Sequence, residues 1–259
     1  MIGHVQPSPV PAAAVADDAS GAAEMPRDPW ALEEVGALAR ETLGERVTAE
    51  LRVLLVAGRL APGEKLSLRR VAEALGVSMM PVREAVSRLA ADGALEVLPG
   101  RAVRVPVLTL AQFRELTRLR LVVEGFAAEE AARRVTPDQL VRIAAHEAAF
   151  RQAASAEAPD PVGAVAANRD LHFALYEAAG MPSLVEMIER LWLKAGPILN
   201  LDMRHEPRRL KGGHAMQEHE KLLAALRRGD AAAARAALEA DIGAAAAHIE
   251  QTGQLKESD

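Results

Sequence analysis

The sequence predicts a mainly α-helical chain, with an N-terminal winged helix-turn-helix domain followed by an all-α helical bundle of about six helices. Three observations carry this expectation. Two segments with helical spacing of apolar residues meet at the short break "GVS", Gly76 to Ser78. The second is followed by two strand-like runs around Pro99-Gly100, which reads as a wing. Beyond Leu110 every periodic segment is helical, and with Phe, Trp and Tyr at only 3 % the core must come from Leu, Val, Ile and close Ala contacts.

Residues 1–35 are rich in Ala, Pro and Asp without a sustained period, so they bury too little apolar surface to offset ordering and are expected as a disordered arm. Periodicity begins in "ERVTAELRVLLVAG", where Val47, Leu51, Leu54 and Leu55 share a face and Gly58 supplies a stop. "LAPGEKL" is read as a turn around Pro62-Gly63. In "SLRRVAEALG", Leu68, Val71, Ala72 and Leu75 are again helically spaced. The next helix, "SMMPVREAVSRLAADG", has Ser78 as N-cap and Pro81 in its first turn, where backbone donors lack intrahelical partners. Val82, Ala85, Val86 and Leu89 face inward, which sends Met79, Arg83 and Ser87 along an outward line. Six bundle helices follow at about 110–134, 137–155, 161–179, 183–199, 205–228 and 231–250. The expected domains are therefore 36–107 and 108–252, with a disordered tail at 253–259.

Composition excludes several classes of function. No cysteine is present, which removes disulfide scaffolds, cysteine-ligated zinc and cysteine nucleophiles. The apolar run "PVPAAAVA" is too short to span a membrane, and the expected location is cytoplasmic. The net charge of −5 is unevenly spread. Residues 45–106 hold ten Lys/Arg against seven Asp/Glu, so the helix-turn-helix segment alone is basic. No Glu-x-x-His pair precedes His172, His219 or His248, and no glycine-rich phosphate loop or nucleophile elbow occurs, so a helical metalloenzyme lacks its motifs. A nucleic-acid-binding adaptor without a ligand is the other rival.

The stretch "LAPGEKLSLRRVAEALGVSMMPVREAVSRLAADGALEVLPGRAVRV", with "RLRLVVEGFAAEEAA", "NRDLHFALYEAAG" and "EHEKLLAALRRGD" after it, resembles the GntR transcription regulators. The resemblance is to the FadR-like branch with a helical C-terminal effector (FCD) domain, and the six helices look like its VanR-type subgroup. It implies a non-enzymatic, ligand-responsive regulator, expected as a homodimeric repressor on a palindromic double-stranded DNA operator. It places DNA contacts at Arg69, Arg83 and Gly100. Arg83 has the fork to read guanine O6 and N7 in a major groove, and Gly100 lets the wing approach the minor groove without a Cβ. Many relatives carry arginine where Met79 stands. Met79 either packs on a thymine methyl or braces the helix pair.

In the bundle, the resemblance implies a divalent metal, Zn with Ni or Mn as alternatives, held by His172, His219 and His248. Asn168, one turn before His172, stands where an aspartate is common in the family and offers only a neutral amide oxygen. The residues alone show no local metal spacing. Arg120 precedes Glu124 by one turn; it is either half of a surface pair worth about 0.3–0.5 kcal/mol or, as the resemblance implies, the fork that binds a small carboxylate effector beside the metal.

Overall fold

The computed structural model describes residues 42–205 and 213–257. The expected arm, 1–35, lies outside them. Helix α1, Leu43–Val56, opens at a capping box in which the Thr42 hydroxyl accepts from the Glu45 N–H at 3.1 Å and the Glu45 carboxylate accepts from the Thr42 N–H at 2.8 Å. Its face of Val47, Leu51 and Leu55 is buried. Helix α2, Leu68–Leu75, ends at Gly76 with φ 64°, a left-handed conformation open to glycine without Cβ strain. Helix α3, Met79–Ala91, follows at once and buries Pro81, Val82, Ala85, Val86 and Leu89. Ser78 occupies its N-cap position, but the hydroxyl makes no capping bond.

The wing is larger than the sequence suggested. Strands β2, Glu96–Val97, and β3, Val103–Arg104, pair antiparallel as expected, and the segment read only as a turn adds strand β1, Lys65–Leu66, on the other side of β3. Sheet order is β1-β3-β2. Two-residue strands give no alternation long enough to read in advance, and Leu66 is held by burial against the core rather than by propensity.

The bundle comprises α4 (Leu110–Arg134), α5 (Pro137–Ser155), α6 (Pro161–Ala178), α7 (Pro182–His205), α8 (His214–Arg228) and α9 (Ala231–Gln251). Helices α4 and α5 each begin with a capping box, Thr109 with Gln112 and Thr136 with Gln139. The fourth expected helix runs on through Pro197 to His205, and the fifth begins at His214 rather than 205. Buried alanines, Ala127, Ala128 and Ala131 on α4 and Ala234 and Ala237 on α9, let those two helices pack closely. The tail differs from expectation too. Leu255 packs beside Phe113, Ile198 and Ile249, and Lys256 exchanges backbone bonds with Leu108 and Leu110 at 3.1 and 2.9 Å, so one apolar side chain and an open backbone edge hold it.

Helix α1 joins the halves. It packs on α3 with one face and on α7 with another, and the apolar residues of the winged domain and the bundle form one buried cluster. At the crossing a Cβ on Gly196 would come within 2.8 Å of the Val56 Cα, so only glycine allows the approach. Among the described residues no helix is long and apolar enough to cross a membrane.

Candidate functional site

Two regions carry chemistry: the outer face of the helix-turn-helix with its wing, and a cavity inside the bundle. On the first, Arg83 stands exposed on α3 and enters no ion pair among the described residues. Arg69 is exposed on α2 but is held by Glu73 at 2.9 Å. Met79 is not on the outward line expected for it. It lies half-buried against the core, whereas Met80 is the exposed methionine at 74 %. The first turn of α3 must bury Pro81 and Val82, and that rotation draws Met79 inward with them.

At the wing tip the Leu98 N–H donates to the Ala102 carbonyl at 2.7 Å and the Arg101 N–H to the Leu98 carbonyl at 3.1 Å. Gly100 has φ 80°, and a Cβ there would meet nothing within 4 Å, so the turn conformation rather than crowding within the protein calls for glycine. Arg101 follows with φ 65°, the one non-glycine residue with positive φ among those described. Sequence reasoning passed over it because a single arginine gives no hint of its backbone angle.

The cavity, about 250 Å³, lies among α4, α5, α6, α7, α8 and α9. Polar groups from four helices line it: Arg120 of α4, Asn168 and His172 of α6, Asn200 of α7 and Asp241 of α9. Phe150, Trp192 and Ile242 supply apolar walls. His214, in the first turn of α8, adds a polar group from a fifth helix.

Next to the cavity runs a buried chain of hydrogen bonds. Arg120 donates from Nε to Glu124 Oε1 at 2.6 Å and from Nη2 to Oε2 at 3.2 Å. Both residues are buried, at 5 % and 0 % exposure, so the surface-pair reading of Arg120 is overturned. The Arg120 guanidinium also lies 5.2 Å from the centroid of the Trp192 ring. The Tyr176 hydroxyl donates to Glu124 as well. Burial, together with the Glu124 charge, pushes Tyr176 well above its ordinary pKa, so the hydroxyl keeps its proton.

With that proton committed, the Tyr176 oxygen accepts from His172 Nδ1, 3.0 Å away. In the neutral form of the ring, His172 then carries its lone pair on Nε2. Nε2 lies 3.4 Å from Asp241 Oδ2 and is buried without a hydrogen-bond partner. His219 Nε2 lies 3.9 Å from the same oxygen, and both ring nitrogens of His219 are buried without a hydrogen-bond partner. Burial pushes the His219 pKa down to about 4, which keeps this ring neutral near pH 7. Burial alone would raise the Asp241 carboxyl, but its contact with His172, the pull of His219 and the charge of Arg120 outweigh that and hold it below the usual range.

His172, His219 and Asp241 thus offer one donor atom each, all within 4.8 Å of one another. His248, expected as a ligand, is outside this group, seven residues past Asp241 on α9. Asn168 lines the cavity one turn before His172. The missed ligand had a signal: Asp241 is an acid inside the apolar stripe Leu238, Ile242, Ala246 and Ile249, where a solvated charge has no place. Tyr176 and Glu124 were legible only as helix neighbours, since their link spans 52 residues.

Comparison with known proteins agrees with both halves. Residues 43–105 match the family described as bacterial regulatory proteins, gntR family, and residues 115–244 match the FCD domain. The HTH-type transcriptional regulator McbR of Escherichia coli is 35 % identical over 196 residues, which is 75 % of this chain and 87 % of McbR. The solved structure of E. coli McbR/YncC superposes with a TM-score of 0.75 at 33 % identity, covering 81 % of this chain and 98 % of that one. A putative GntR transcriptional regulator from Rhodococcus sp. RHA1 gives 0.66 at 27 % identity, again over 81 % and 98 %. The gluconate operon transcriptional repressor of Bacillus licheniformis is 35 % identical over 104 residues, 40 % of this chain and 42 % of that protein. With a winged helix-turn-helix of one family model, a bundle of the other and a relative matched through both, the chain belongs to the gntR family of bacterial regulatory proteins and carries an FCD domain.

Proposed function

We propose that this DNA-binding transcription regulator acts as a homodimeric repressor on a palindromic operator, and that a small organic acid held with a divalent metal in the FCD cavity tunes its affinity for DNA. The observation that supports this reading is the confrontation of His172 Nε2 with Asp241 beside the unpartnered His219 ring. Buried acceptors and orphaned ring nitrogens are costly unless a cation lies between them. Ligands about 2.0–2.2 Å from a tetrahedral ion stand roughly 3.3–3.6 Å apart. The His172–Asp241 distance of 3.4 Å meets this already, and the His219–Asp241 distance of 3.9 Å needs only a few tenths of an ångström.

Two imidazoles and one carboxylate suit Zn, with Ni or Mn as alternatives, and Asn168 offers a neutral oxygen nearby. A divalent ion there supplies open positions for a ligand carboxylate. Charge explains why the acid and the metal go together. The charge of Arg120 is balanced by Glu124, which leaves Asp241 as a net negative charge in the wall. A bare carboxylate is repelled by that wall, and a dication reverses the sign.

On the DNA side, the exposed Arg83 would reach base edges in the major groove, with Arg69 and the Gly100 tip contacting DNA beside it. The half-buried Met79 fits the bracing role. Like the Bacillus licheniformis protein named above, the regulator is read as a repressor. Its dimer surface is the exposed stripe Leu119, Val122 and Phe126 along α4.

The deciding experiment measures metal retained after extensive dialysis, in wild type and in a His172→Ala/His219→Ala double variant, alongside DNA binding at several salt concentrations. Retained metal lost in the variant, and binding that weakens steeply with salt, are the expected results. Equal metal in both proteins sinks the metal site. Salt-insensitive binding sinks the phosphate-gripping interface.

A further inference from the structure

One residue belongs to both regions. Asn200 lines the cavity, is 2 % exposed, and donates from Nδ2 to the carbonyl of Val56 across 144 residues of sequence. Val56 is the last residue of α1, and its carbonyl has no later helical N–H to accept from. The neighbouring turn bonds go elsewhere: Ala57 N–H to Val53, Gly58 to Leu55 and Arg59 to Leu54. Asn200 therefore caps the first helix of the DNA-binding half with a side chain rooted in the cavity wall. The approach is tight, since a Cβ on Gly58 would lie 2.5 Å from Asn200 Cβ. A further tie near this junction, Arg52 to Asp92 at 2.8 Å and to Glu189 at 3.6 Å, is partly solvated and so weakened by screening.

An amide offers two N–H donors and one carbonyl acceptor, so Asn200 has capacity beyond the Val56 bond. We propose that Asn200 is the positioning residue through which cavity and DNA-binding half sense one another: a ligand polar group that engages its amide competes with its hold on Val56, and DNA that shifts α1 is felt in the cavity through the same bond. α1 packs directly on α3, so a change at its C-terminal end reaches the recognition helix through packed side chains. The ligand half of this proposal rests on the effector reading above. The DNA half does not, because coupling between two sites is reciprocal and DNA can serve as the ligand.

The test uses the full chain with Trp30→Phe, so that Trp192 in the cavity wall is the sole tryptophan. A duplex enriched by the protein from a random pool is titrated while Trp192 emission and amide exchange at 54–59 and 199–201 are followed. The expected result is a shift in emission and a severalfold slowing of exchange at both segments. In Asn200→Ala the duplex still binds, but Trp192 and residues 199–201 no longer respond. Asn200→Leu keeps the bulk without the donor and decides the matter if the alanine variant does not fold. A folded variant that keeps the response, or a wild type in which DNA leaves Trp192 and 199–201 unchanged, overturns the proposal.

Zn²⁺ with picolinate, a small aromatic carboxylate, probes the other direction. Binding seen at Trp192 should change DNA affinity by roughly 5- to 150-fold in wild type and not in the variants. Binding without any change in wild-type DNA affinity also overturns the coupling. Absence of a Trp192 response to the probe counts against the effector reading, and the DNA titration still decides the role of Asn200.

Discussion

Arg101 illustrates how a single backbone angle points to a role. At φ 65° its backbone is held in the left-handed region, which costs a non-glycine residue on the order of 1 kcal/mol. Glycine would relieve that strain, yet a guanidinium stands there, exposed and outside any ion pair among the described residues, at the tip that follows Gly100. Arg101→Gly is expected to raise the thermal midpoint slightly while weakening DNA binding, with the salt slope of log K reduced by about 1. Unchanged binding and slope would show that the wing tip does not touch DNA. His219 gives a second prediction at this scale. Its folded pKa of about 4 lies below the ordinary value of 6.5, so the stabilisation is present above pH 6.5 and is lost as pH falls toward 4. Metal-free protein should lose up to about 3 kcal/mol across that window, read by denaturant unfolding at fixed ionic strength. His219→Phe should flatten the curve; an equally steep loss in the variant would place its origin elsewhere.

Among the elements, α4 does two jobs with two faces. Its inner face presents Phe113, Leu116, Arg120 and Glu124 to the core and cavity, and its outer face leaves Leu119, Val122 and Phe126 exposed at spacings of three and four. On the proposed dimer, Val122→Glu should leave the helix intact and convert a dimer to a monomer in sedimentation, with operator affinity falling because only one half-site would be engaged per molecule. A dimeric variant would move the interface to another face. The elements also show what a one-dimensional reading can reach. Long helices such as α4 and α5 are visible from the spacing of their apolar residues and the breaks between them. The strand β1 is not, since two residues carry no period and Leu66 is recruited by burial. The same limit applies to the site. His172 and His219 were visible as residue types, but their partner Asp241 is chosen by the packing of α9 against α4 and α8, which also carries His248 away from the cluster. Met79 leaves the outward line for a related reason, because the first turn of the helix rotates to bury its proline and valine before any rule of fours applies.

For the whole molecule, the buried core that runs unbroken from α3 through α1 into the bundle means that DNA and the proposed ligand and metal would act on one cooperative body. Anything that binds the folded state alone stabilises it by mass action, about 2.7 kcal/mol at a hundredfold excess over the dissociation constant. Removing the metal with a chelator should therefore lower the thermal midpoint of wild type and leave the His172→Ala/His219→Ala variant unmoved. The sign of the cavity charge makes a sharper expectation. Small monocarboxylates should raise the midpoint only when the metal is present, because Asp241 leaves the metal-free wall negative while Glu124 already balances Arg120. Thermal shifts across a carboxylate series, with and without chelator, test this in one plate. Stabilisation that survives chelation would mean that Arg120 alone captures the acid, after giving up one of its bonds to Glu124.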